Sequence, residues 1–181
     1  MADPQLVNAV GGGDLEQELD LQFLYEALDG EEVRYDPEYW PGLYLRFTED
    51  SPAIMVFRTG KYNIAGADSI QQLHQISDEF RERMQKLGIN NDDISFEVRN
   101  LVFLDQYDRE LNLEQVAVAL GLENTEYEPE QFPGVLFRPS DATGTFLIFR
   151  NGKISLTGVS SSDNAVNAFD ELFGFLDELF Y

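Results

Sequence analysis

The sequence predicts an α+β fold made of one unit written twice in tandem. Three observations predict it. Shifted by 92 residues, the offset that carries Asn8 onto Asn100, the chain matches itself without a gap. Each copy contains alternating apolar runs punctuated by Gly-Lys turns, the pattern of consecutive antiparallel strands. Each copy also contains two segments with apolar residues three and four apart, the pattern of amphipathic helices. Strands in succession, with helices set apart from them, are α+β rather than α/β.

The repeat governs everything else. Tyr35-Asp-Pro-Glu-Tyr-Trp-Pro-Gly-Leu-Tyr-Leu-Arg46 lies over Tyr127-Glu-Pro-Glu-Gln-Phe-Pro-Gly-Val-Leu-Phe-Arg138, and Phe57-Arg-Thr-Gly-Lys61 over Phe149-Arg-Asn-Gly-Lys153. Val10 falls on Val102, Leu21 on Leu113 and Gly66 on Gly158. The period is too long for a solenoid unit. It reads as a duplicated half-domain with pseudo-twofold symmetry, residues 1–92 and 93–181, the two copies together forming one domain.

A short strand opens each copy, around 5–10 and 96–104. A helix follows, carrying Leu19, Leu21, Leu24 and Leu28 in the first copy and Leu111, Leu113, Val116 and Leu120 in the second. Proline-bracketed turns come next, at Pro37/Pro41 and Pro129/Pro133. Three strands then run through about residues 66 and 158, with Gly60-Lys61 and Gly152-Lys153 as hairpin turns. A long helix closes each copy. Its apolar face is Ile70, Leu73, Ile76, Phe80, Met84 and Leu87 in one, and Val166, Phe169, Leu172, Phe173, Leu176 and Phe180 in the other.

Composition narrows the function. There are 34 acidic residues against 12 basic ones, a net charge of −22. Self-repulsion of that size destabilises a compact state at ordinary ionic strength. Two readings compete: an acidic partner that mimics or repels nucleic acid, and adaptation to a very salty cytoplasm. With no cysteine and His74 as the one histidine, cysteine and histidine metal sites and catalytic triads lack material. Asp92-Asp93 and Asp177-Glu178 read as solvated surface, and Gly11-Gly-Gly13 lacks the flanking residues of a phosphate loop. No apolar run approaches the roughly 18 residues of a membrane span. The expectation is a non-enzymatic, cytoplasmic binding protein with no cofactor and no membrane contact.

Strand alternation separates Ile54 and Val56 from Met55 and Phe57, and Phe146 and Ile148 from Leu147 and Phe149. Both sets are apolar. One face packs on the helices, and the other is left for a partner. Six of the twelve cations fall in matched pairs: Arg46/Arg138, Arg58/Arg150 and Lys61/Lys153. Paired cations beside exposed aromatics suit an anionic partner with approximate dyad symmetry, and duplex DNA is that object. Asn8 and Asn100 offer paired amides at the expected centre.

The string Glu126-Tyr-Glu-Pro-Glu-Gln-Phe-Pro-Gly-Val135, taken with Phe149-Arg-Asn-Gly-Lys153, Leu156-Thr-Gly158, Asn100-Leu-Val102 and the segment 111–127, resembles the TATA-box-binding proteins, especially in their archaeal, halophile-like form. The resemblance covers nearly the whole chain. It implies a saddle: a ten-stranded antiparallel sheet with four helices on its convex face and a concave underside that binds and bends A·T-rich promoter DNA through the minor groove. By position, Trp40 with Phe57 and Phe132 with Phe149 would be the wedge pairs. Asn8 and Asn100 would bond base edges, and Val10, Val102, Met55, Leu147 and Thr157 would face the groove. Arg46, Arg138, Lys61 and Lys153 would reach phosphates. Glu128, Glu130 and Gln131 match the loop that engages transcription factor B, and through it, indirectly, the RNA polymerase machinery. A nucleoid-associated location follows.

The chain departs from the family pattern in places. Asn63 and Ala65 stand where an apolar residue and a threonine are usual, and Ser155 precedes a retained Thr157. Asp68 and Ser160 stand where a lysine is usual. Gly11-Gly-Gly13 and Phe103-Leu104 replace a small pair. These departures predict weaker phosphate contact and a rougher groove-facing surface. They leave open a divergent paralogue that acts mainly as a protein-interaction regulator with weak or no TATA binding.

Overall fold

The computed structural model describes residues 2–89, 95–140 and 144–180. In chain order the elements are β1 (Gln5–Asp14), α1 (Leu21–Ala27), β2 (Glu32–Tyr35), β3 (Gly42–Arg46), β4 (Ala53–Phe57), β5 (Lys61–Ala67), α2 (Ile70–Lys86), β6 (Phe96–Gln106), α3 (Leu113–Leu120), β7 (Thr125–Glu126), β8 (Gly134–Phe137), β9 (Thr145–Phe149), β10 (Lys153–Val159) and α4 (Ser162–Phe180). The strands are hydrogen-bonded in the order β2-β3-β4-β5-β1-β6-β10-β9-β8-β7, ten in one sheet. The fold is the α+β ten-strand, four-helix arrangement that the repeat and its resemblance imply.

Contacts divide the chain into two compact units. The first is Asn8–Arg99, and the second combines residues 1–7 with Asn100–Tyr181. The join between the sequence copies, at 92/93, lies outside the described residues, as do Asp92 and Asp93.

In the first unit, β3, β4 and β5 pair antiparallel, and β5 pairs with β1. The pleat sends Leu43, Leu45, Ile54, Val56, Tyr62 and Ile64 to one face, where all are fully buried. Leu21 and Leu24 of α1 and Leu73, Phe80 and Met84 of α2 are buried too. The Tyr62 and Phe80 rings lie 4.8 Å apart, and Ser77 shares a 3.0 Å hydrogen bond with the Tyr62 hydroxyl. Both helices start on side-chain caps: Asp20 accepts from the Phe23 amide at 3.0 Å, and Ser69 from the Gln72 amide at 3.1 Å.

The second unit repeats this plan. Val135, Phe146, Ile148, Ile154, Leu156, Leu101 and Phe103 are buried together with Leu113 and Val116 of α3 and Ala165, Phe169, Leu172 and Leu176 of α4. Phe146 meets Phe169 edge-on at 5.4 Å. Truncating such a ring costs about 3–5 kcal/mol. Asn112 caps α3 by accepting from the Gln115 amide.

Two features differ from the sequence expectation. β1 continues through the glycine run to Asp14 instead of stopping near residue 10. The bare backbone there leaves room for neighbours: a Cβ on Gly11 would fall 2.4 Å from the Phe96 ring, and one on Gly13 2.6 Å from the Tyr62 hydroxyl. The outermost strands β2 and β7 are short, four and two residues, too short for alternation to mark them as strands.

Candidate nucleic-acid interface

In each unit the side chains that point away from the helices form ordered rows. In the first unit the register sets Arg34 beside Tyr44, Tyr44 beside Met55, Met55 beside Asn63, and Asn63 beside Gly12. In the second it sets Glu126 beside Leu136, Leu136 beside Leu147, Leu147 beside Ser155, and Ser155 beside Leu104. Tyr44, Met55, Phe57, Val10, Leu136, Leu147, Phe149 and Val102 are half-buried with no helix over them. Of these, alternation along β3 and β8 would have found Tyr44 and Leu136.

Both aromatic pairs form. Trp40 meets Phe57 edge-on at 5.6 Å, and Phe132 meets Phe149 at 5.8 Å. Trp40 is 36% exposed and Phe132 40%. The two turns that carry them are closed alike. The amides of Tyr39 and Trp40 donate to the Asp36 carbonyl, and those of Gln131 and Phe132 donate to the Glu128 carbonyl. A glycine follows in each case because the ring takes its space: a Cβ on Gly42 would lie 2.5 Å from Trp40, and one on Gly134 2.9 Å from Phe132.

Asn8 and Asn100 are also placed alike. Asn8 Oδ1 accepts from the Gly66 amide at 3.0 Å. Asn100 Oδ1 accepts from the Gly158 amide at 3.1 Å and the Thr157 hydroxyl at 3.0 Å. Gly66 and Gly158 have φ of +92° and +86°, a conformation glycine adopts readily. With the carbonyl engaged inside the protein, each side-chain amide has its N–H donors left. The A·T minor groove presents only acceptors, so donors are the matching chemistry.

The cations differ from one another. Lys61 and Lys153 are exposed at strand starts. Arg46 donates to the Glu49 carbonyl at 3.3 Å and lies 6.0 Å from the Tyr44 ring. Arg138 is held by Glu126 at 2.6 Å, an exposed pair that holds weakly in water. Arg58 stands 4.0 Å from Glu18. Glu128, Glu130 and Gln131 are exposed on the turn before Phe132. His74 is exposed on α2, its ring edge-on to Phe96 at 5.4 Å. Among the described residues no group of three or more His, Asp or Glu is arranged to hold a metal, and no helix is long and apolar enough to cross a membrane.

The profile of the family described as "Transcription factor TFIID (or TATA-binding protein, TBP)" matches residues 3–87 and again 95–179. The chain belongs to the TATA-box-binding protein family. It is 40% identical over 177 residues to TATA-box-binding protein C of Halobacterium salinarum, covering 97% of this chain and 98% of that one. It is 40% identical over 184 residues to a TATA-box-binding protein of Natronomonas pharaonis, covering 99% and 97%. A solved Methanococcus jannaschii TBP superposes with a TM-score of 0.82 at 31% identity, covering 97% of this chain and 99% of that one. The family is one of DNA-binding transcription factors, not enzymes.

Proposed function

We propose that this protein is a basal transcription factor that binds the minor groove of A·T-rich promoter DNA with its helix-free faces, bends the duplex, and recruits transcription factor B. The observation that carries this reading is the twice-built aromatic pair, Trp40 on Phe57 and Phe132 on Phe149, repeated in each unit together with an asparagine whose remaining polar groups are donors. Flat apolar rings suit insertion at base steps. Met55, Leu147, Val10, Val102 and Thr157 supply a groove-facing surface, and Arg46, Arg138, Lys61 and Lys153 the phosphate contacts. Glu128, Glu130 and Gln131 form the contact for transcription factor B, and the polymerase follows indirectly. The acidic surface serves a salty, nucleoid-associated setting, in keeping with halophilic relatives.

A second reading is a regulator that works mainly through protein contacts. The specific observation in its favour is Arg138 tied to Glu126 while polar Asn63 and Ser155 interrupt both apolar rows. Titrating an A·T-rich duplex from low to multimolar KCl separates the two. Saturable, bent complexes support the promoter factor. No complex at any salt, with transcription factor B still bound, supports the regulator.

A further inference from the structure

Arg99 lies across the helix-free face of the first unit. Its Nη1 donates to Asn63 Oδ1 at 2.7 Å. The guanidinium passes over Gly12, where a Cβ would fall 2.4 Å from Nη1 and 2.8 Å from Asn63 Oδ1. Glycine at position 12 is therefore what makes room for the pair. At the offset of 92 the same three places hold Val7, Leu104 and Ser155, so the second unit has two aliphatic side chains and a short hydroxyl instead. The copies agree in their aromatic pairs and their asparagines, and they part here.

The difference has a chemical meaning in a minor groove. A·T and T·A pairs present acceptors alone, whereas G·C adds the exocyclic amine of guanine, a donor. An apolar floor buries that donor without a partner, which costs affinity. Asn63 Oδ1 has one hydrogen bond and a second lone pair, its amide donates twice, and the guanidinium has further N–H groups. The first unit can accept the guanine amine while still donating to the ring nitrogen and carbonyl acceptors.

We propose, resting on the DNA reading above, that Arg99 and Asn63 are specificity residues that admit a G·C pair in the half-site met by the first unit, while the half-site met by the second unit requires A·T. One G·C pair then orients the protein on an otherwise symmetric promoter element.

The test uses the full chain in molar KCl and fluorescence anisotropy with a self-complementary A·T duplex. One variant duplex carries G·C in one half, another carries G·C in both, and matched duplexes carry inosine·cytosine, which lacks the amine. A single G·C should cost less than about threefold, because the protein turns to place it against the first unit. G·C in both halves should cost about tenfold or more, and inosine should restore it. In Asn63→Val the single G·C should already cost about tenfold, again relieved by inosine. Comparing guanine with inosine inside one variant cancels any general loss of affinity. The chain has no cysteine, so Glu38→Cys can bear an iron chelate, and strand cleavage should concentrate on the G·C half. Equal cost for each successive G·C, an Asn63→Val pattern like that of the parent, or cleavage on the opposite half overturns the proposal while the DNA reading stands. Failure to bind any duplex removes the DNA reading and this proposal together.

Discussion

Trp40 stands edge-on to Phe57, ring centroids 5.6 Å apart at 68°, and occupies the space that a side chain at position 42 would need. Phe132 and Phe149 repeat the arrangement at 5.8 Å and 60°. Two rings braced on each other and open on the outside are suited to enter a base step together. Opening a step costs a few kcal/mol, which the inserted apolar surface must offset. The double variant Phe132→Ala, Phe149→Ala should lose most of the bend, read by energy transfer between labelled duplex ends, and at least about tenfold in affinity. Full bending in that variant would refute the wedge role.

Glu128 and Glu130 sit on the turn next to this pair, exposed and outside the aromatic contact. Reversing both to arginine should abolish the ternary complex with transcription factor B in a gel-shift assay, while binary DNA binding stays unchanged or improves. Ternary complexes that survive the reversal would place the partner elsewhere.

Two buried phenols set an alkaline limit on stability. Burial raises the Tyr62 pKa above its usual value of 10.0 and outweighs the opposing hydrogen bond from Ser77. Burial also raises Tyr107, helped by the Asp177 carboxylate that its hydroxyl contacts at 2.8 Å. Above about pH 10 the unfolded chain releases these protons and the folded chain keeps them. The folded state then binds more protons, so stability falls as pH rises. Below that pH the contribution is complete. Chemical denaturation between pH 8 and 11 should show the fall, and Tyr62→Phe with Tyr107→Phe should flatten it. At neutral pH Tyr62→Phe alone should cost about 1–2 kcal/mol, because Ser77 loses its partner.

Salt should act against the usual rule. Counterion release weakens protein–DNA complexes as salt rises. Here the chain carries −22, and at low salt that charge repels DNA over a Debye length of about 30 Å at 0.01 M, against about 3 Å at 1 M. Removing this repulsion should outweigh the loss at a few close cations, and burial of the wedge rings is not screened. Thermal stability and DNA affinity should both rise with KCl into the molar range. Binding tightest near 50 mM, with steady decline above it, would show that the acidic surface plays no part.

Much of this is legible in the sequence. The 92-residue offset exposes the duplication, and alternation in Ile54-Met-Val-Phe57 assigns each side chain to the correct face, because a half-buried strand must alternate. The end of β1 is not legible, since three glycines carry no side chains to show alternation, and the space that Phe96, Arg99 and Tyr62 take beside them is a property of the fold. Nor is the Arg99–Asn63 bond, which joins residues 36 apart through strand pairing that no local pattern encodes. The tie between Arg138 and Glu126 is not legible either, because it depends on β7, two residues long.

The partition of the chain bears on how it matures during synthesis. Asn8–Arg99 is contiguous, so a ribosome finishes every residue of that unit while most of the other is still unmade. The other unit needs residues 1–7, which precede that unit in the chain, together with Asn100–Tyr181, which follow it. Domains tend to condense as they emerge. Residues 1–7 therefore wait until the whole contiguous unit between them and Asn100 has been made before their packing partners exist. An expression clone cut at the repeat junction would strip residues 93–99 from the early-folding unit, whereas a clone of residues 8–99 keeps that unit whole.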